Sequence, residues 1–65
     1  MEKVFTVFFR WRGTVPDDGP GPHIFRGESW HAVKKYADTR ATQFSIKPDA
    51  MIILDEQGST VFQEG

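Results

Sequence analysis

Sixty-five residues make one small domain, residues 1–65, and a content of 38% apolar and 14% aromatic side chains is that of a globular chain, not a disordered one. Eight basic and nine acidic side chains leave a net charge of −1, which excludes a polycation. There is no cysteine, so neither disulfides nor thiolate-held metal can supplement a core this short; aromatic packing or self-association must do so.

Residues 3–12 (KVFTVFFRWR) are rich in β-branched and aromatic side chains and predict one long strand. Phe5, Val7, Phe9 and Trp11 alternate along it and define its core face, with Val4, Thr6, Phe8, Arg10 and Arg12 opposite. Residues 13–22 (GTVPDDGPGP) then carry three glycines and three prolines in ten positions, a composition that holds neither a helix nor a central strand. A short strand is expected at residues 23–26 (HIFR). Ser29, with Glu28 before it, is placed to cap a helix by accepting from the free amides of the first turn. That helix runs to about Thr39 or Ala41. At about 100° per residue Trp30, Val33, Ala37 and Ala41 share one sector, Lys34 and Tyr36 sit at its margins, and His31, Lys35 and Asp38 point away. Lys34 and Asp38 are spaced to pair across one turn.

From Gln43 the period returns to two. Phe44 and Ile46 alternate with polar neighbours, either as a separate strand or as the start of the next, and Pro48-Asp49 suits a turn. Residues 51–54 (MIIL), the turn formers Asp55-Glu56-Gln57-Gly58 and residues 60–63 read as a hairpin. The order β-loop-β-α-β-β predicts an α+β two-layer domain: a mostly antiparallel sheet of about four strands with one amphipathic helix on one face.

A helix of about 13 residues is near 20 Å long and covers one face of such a sheet, not both. Yet Val4 and Phe8 oppose the core set on the first strand, and residues 51–54 are apolar on both faces. The second face is therefore expected to present an apolar patch, closed either by a partner or by the Pro/Gly loop and the chain ends. A twofold homodimer is the commonest solution.

Catalytic and cofactor chemistry finds little purchase. His23 and His31 are eight positions apart on different elements, and no metal site or cofactor is expected. The acidic pairs Asp17-Asp18 and Asp55-Glu56 fall in turns, where such residues serve local backbone hydrogen bonds. Residues 19–27 (GPGPHIFRG) fail the dinucleotide pattern, because Ile24 stands where the third glycine belongs and two prolines remove amides a phosphate would need. No enzymatic activity is expected, unless an oligomer assembles a site no single copy contains.

The remaining signal is Phe8, Arg10 and Arg12, with Arg26, as an interaction surface. The expected function is a small non-catalytic protein-protein interaction module, an adaptor, inhibitor or regulatory subunit, self-associating as a homodimer through the open sheet face. The alternative is single-stranded nucleic-acid binding, with Phe8 stacking a base beside Arg10 and Arg12; a chain of pI near 6.0 is less basic than such modules. The opening Met-Glu-Lys has no signal-peptide character and no apolar run is long enough for a membrane span, so a cytoplasmic protein is expected. Charge is also uneven. Residues 1–47 hold all eight basic side chains against five acidic ones, a balance of +3, whereas residues 48–65 hold four acidic ones and no basic, a balance of −4.

Overall fold

The computed structural model describes residues 1–65, with β1 (Lys3–Arg10), β2 (His23–Gly27), α1 (Trp30–Ala41), β3 (Ala50–Leu54) and β4 (Thr60–Glu64). The four strands form one antiparallel sheet in the order β2-β1-β3-β4, and α1 packs on one of its faces, giving the expected α+β two-layer architecture. No helix is long and apolar enough to cross a membrane.

The longest strand, β1, lies inside the sheet between β2 and β3. Across β2, Phe5 faces Phe25 and Val7 faces His23; across β3, Val7 faces Ile53 and Phe9 faces Met51. Directly opposed residues of antiparallel strands share a face, so these side chains all point at α1. The helix answers with Val33, Ala37 and Ala41, which are buried in the predicted sector, and Val7, Val33 and Ile53 have no exposed surface. Two small residues on α1 let the helix lie close to a sheet face crowded with phenylalanine.

Aromatic rings close this core at two places. Phe9, Trp11 and His23 surround Phe44 with centroid distances of 5.2–5.7 Å in edge-to-face geometry. Over β4, Trp30 stacks on Phe62 at 5.4 Å, with His31 against Trp30 at 3.8 Å. Tilted and offset ring pairs add about 0.5–1.5 kcal/mol each beyond burial, which matters in a chain without cross-links.

The structure departs from the sequence-based expectations at several points. The first strand ends at Arg10, not Arg12, because Asp49 replaces a strand partner there: its amide donates to the Arg10 carbonyl at 2.8 Å, and its Oδ2 accepts the Arg12 amide at 2.9 Å. Residues 44–47 are not a strand. Phe44 is buried as the hub of the ring cluster while Ile46 is exposed, and the Ile46 carbonyl accepts the Trp11 indole N–H at 2.8 Å. Their alternation reflects a loop laid over aromatic rings, without a ladder. Ser29 occupies the N-cap with extended backbone, φ −151° and ψ 165°, but its hydroxyl makes no cap bond; its carbonyl accepts from Val33 at 3.3 Å. His23 opens β2, its Nε2 lies 2.8 Å from the Gly19 carbonyl, and its ring belongs to the cluster.

The predicted hairpin and helix pair both form. Asp55 Oδ1 accepts from the amides of Gln57 and Ser59, the Gly58 amide donates to the Asp55 carbonyl, and Gly58 takes φ +84°, a conformation that favours glycine, to return the chain into β4. Lys34 Nζ donates to Asp38 Oδ2 at 2.8 Å. That hydrogen bond raises the Lys34 ammonium above its ordinary value, partial desolvation opposes it, and the charges of Asp38 and Glu64 add to the rise. A raised value means the contribution of the pair is complete below the ordinary lysine range and lost as pH climbs through the raised value. Its surface position keeps it small.

The loop of residues 13–22 folds back onto the Trp11 side of the sheet. Gly19 is buried against the indole, where an added Cβ would meet Trp11 ring atoms at 2.4–2.9 Å, whereas nothing lies within 4 Å of one at Gly13. Gly19→Ala is therefore expected to lower unfolding free energy by about 1–3 kcal/mol in urea titrations, as overpacking does. Gly13→Ala should be neutral or slightly stabilising in the same measurement. Ile53→Ala, at a site with no exposed surface, should cost about 2–5 kcal/mol and leave little folded protein.

Candidate functional site

Strand alternation determines what the other face carries. The partners Val4–Arg26, Thr6–Ile24, Thr6–Leu54, Phe8–Ile52, Arg10–Ala50, Ile52–Gln63 and Leu54–Thr60 lie opposite one another on the side away from α1. Five large apolar side chains, Val4, Phe8, Ile24, Ile52 and Leu54, therefore share one surface across three strands. Ile24 is 61% exposed and Phe8 36%, while Val4, Ile52 and Leu54 are half-buried. The Pro/Gly loop and the segment from Thr42 to Asp49 are both spent on the ring cluster of the α1 side, as the contacts of Gly19, Phe44 and Ile46 with Trp11 show. The apolar patch expected on the second sheet face is present, and neither loop closes it.

The four residues singled out from sequence do not form one cluster. Phe8 and Arg10 are neighbours on the open face of β1, with Phe8 beside Ile52 and Arg10 beside Ala50. Arg12 lies beyond the strand, but it and Arg10 line the same depression of about 370 Å³, together with Trp11, Asp49, Ala50 and Gly65. Arg26 is on the edge strand β2 beside Val4, at the opposite end of the face. Trp11, flanked by Arg10 and Arg12 in sequence, turns to the other side, where its indole packs on Phe44 and its N–H is bound.

The contribution of Ile24 is not evident from sequence because residues 23–26 are too short to show a period by themselves. Only pairing with β1 assigns Ile24 to the face of Phe8 and His23 to that of Val7.

The electrostatics of the surface are one-sided. Every strand residue on the open face is apolar, a neutral polar Thr or Gln, or arginine, because Glu64 pairs with Met51 and so belongs to the α1 side. The acidic excess of the last 18 residues sits at strand ends and in the hairpin turn, at Asp49, Asp55, Glu56 and Glu64. Lys34–Asp38 on the helix is the only ion pair of the chain, so Arg10, Arg12 and Arg26 all lack a carboxylate within 4.0 Å. Asp49, which lines that depression, directs its Oδ2 at the Arg12 backbone amide. The histidines stay apart, and no three His, Asp or Glu side chains gather in a metal-binding arrangement.

Comparison with protein-family models, with curated proteins and with solved structures finds no match to the chain.

An arginine without an ion pair on an exposed surface contributes little to folding. Replacing Arg10 and Arg12 together by glutamine is expected to leave the urea midpoint and slope unchanged to within about 0.5 kcal/mol. A larger loss would mean that the arginine stems, not their charges, hold this end of the sheet.

Proposed function

We propose that the chain is a non-catalytic protein-protein interaction module that acts by docking the open face of its sheet on another protein. The observation that carries this reading is the set of five large apolar side chains spread across that face and left uncovered by helix and loops. Water-facing apolar patches that unite several strands mark association sites, because burying them on a partner recovers hydrophobic free energy the isolated chain leaves unused. A module of this kind works as an adaptor, inhibitor or regulatory subunit, by occupying a surface. A second copy of the chain is the simplest occupant and a different protein the other.

Protein binding is favoured over single-stranded nucleic acid by the make-up of the patch. Four of its five large apolar members, Val4, Ile24, Ile52 and Leu54, are aliphatic and offer no ring for base stacking, and the Trp11 indole packs on Phe44 on the other side.

A photo-reactive phenylalanine placed at Phe8 or Ile24 in the host cell is expected to give discrete protein adducts. The same group at Tyr36, which is 51% exposed on the helix, should give none. Equal labelling at all three positions, or no adduct at Phe8 and Ile24, would refute the open face as the site.

A further inference from the structure

The size and charge of the open face narrow its occupant. Four strands about 4.8 Å apart, each contributing about five residues at roughly 3.3 Å, make a face near 20 Å by 17 Å, or roughly 300 Å² in plan. Two copies meeting flat on this face would bring Arg10 and Arg26 of each copy into an interface to which neither face contributes a strand carboxylate.

The fold itself shows what fits such a surface. On the other side of the same sheet, 12 residues of α1, about 18 Å of helix, lay one stripe of small and aliphatic side chains on the core, which aromatic rings complete at its edges. The open face has the same footprint and an aliphatic floor, with unpaired arginines at opposite ends: Arg26 beside Val4 on β2, and Arg10 with Arg12 beyond Phe8 on β1. An occupant matching this pattern presents an apolar stripe along its middle and carboxylates at both ends. Guanidinium groups hold carboxylates in bidentate geometry, so both ends also fix its direction.

We infer that the open face is a docking site for an acidic amphipathic helix of about three turns from a partner protein, seated across Phe8, Ile24, Ile52 and Leu54 and clamped by Arg10, Arg12 and Arg26. The inference rests on the open face being a protein-binding surface and adds the chemistry of what it binds. The partner helix completes a third layer, mirroring α1 through the sheet.

Panning the intact chain against a displayed library of random 16-residue peptides tests this. Enriched sequences are expected to carry aliphatic residues at i, i+3, i+4 and i+7 with Asp or Glu toward both ends. Their affinity, read by fluorescence anisotropy, should fall at least tenfold for Arg10→Glu combined with Arg26→Glu, and be recovered when the peptide carboxylates are exchanged for lysine. Because these arginines are exposed and unpaired, circular dichroism of the variant should match that of the parent. Enriched peptides that are basic or uncharged but still lose binding to Phe8→Asp would overturn the inference and leave the protein-binding surface standing. A concentration-dependent doubling of mass in sedimentation equilibrium, abolished by Phe8→Asp and not competed by the peptides, would overturn it in favour of a second copy. Tight, salt-sensitive binding of oligo(U) or oligo(dT) with no peptide enrichment would overturn both readings, as would peptides whose binding survives Phe8→Asp.

Discussion

One three-turn helix has to serve a four-stranded sheet, and nearly every other feature follows from that constraint. Covering one face takes the whole apolar sector of α1, with Val33, Ala37 and Ala41 set against Val7, Phe9 and Ile53. Nothing helical remains for the second face. A chain of this length without cysteine cannot offset the shortage by cross-linking, so it crowds aromatic rings around the covered core and leaves aliphatic side chains on the open side.

The two irregular segments deepen the imbalance. Neither folds over the open face. Instead the Pro/Gly loop seats Gly19 on Trp11, and the segment after α1 buries Phe44 among Phe9, Trp11 and His23. Flat rings meeting edge to face make a tight local cluster, and the indole N–H of Trp11 finds the Ile46 carbonyl as its partner. The outcome is a domain with one finished side and one unfinished one. The unfinished side holds arginines that form no ion pair, while the acids of the last strands collect at their ends. Shape and charge thus point the same surface outward.

Much of this was legible in the residues. Alternation assigned Phe5, Val7 and Phe9 to the core, helical spacing assigned Val33, Ala37 and Ala41, and the Asp55–Gly58 turn announced its hairpin. Each of those signals is local, a period or a turn that a few neighbouring residues specify. The illegible parts were the ones settled by distant partners. Asp49 ends β1 from 37 positions away by taking the Arg12 amide, and Phe44 imitates a strand period while serving a ring cluster. Ser29 has the cap position and backbone but not the cap bond, a detail that hydroxyl orientation decides. Of the candidate site, Phe8 and Arg10 were readable as one face of one strand; Ile24 and the remoteness of Arg26 were not.

By itself the sequence determined the class of object: a cysteine-free α+β domain with more apolar strand surface than one helix can cover, because composition and periodicity are properties of the chain alone. Only the tertiary structure decided which side that surplus occupies and what borders it. Strand order and register depend on pairings far apart in the chain, and it is those pairings that set Phe8 beside Ile52, place Arg26 and Arg10 at opposite ends, and turn Trp11 and both loops to the other side.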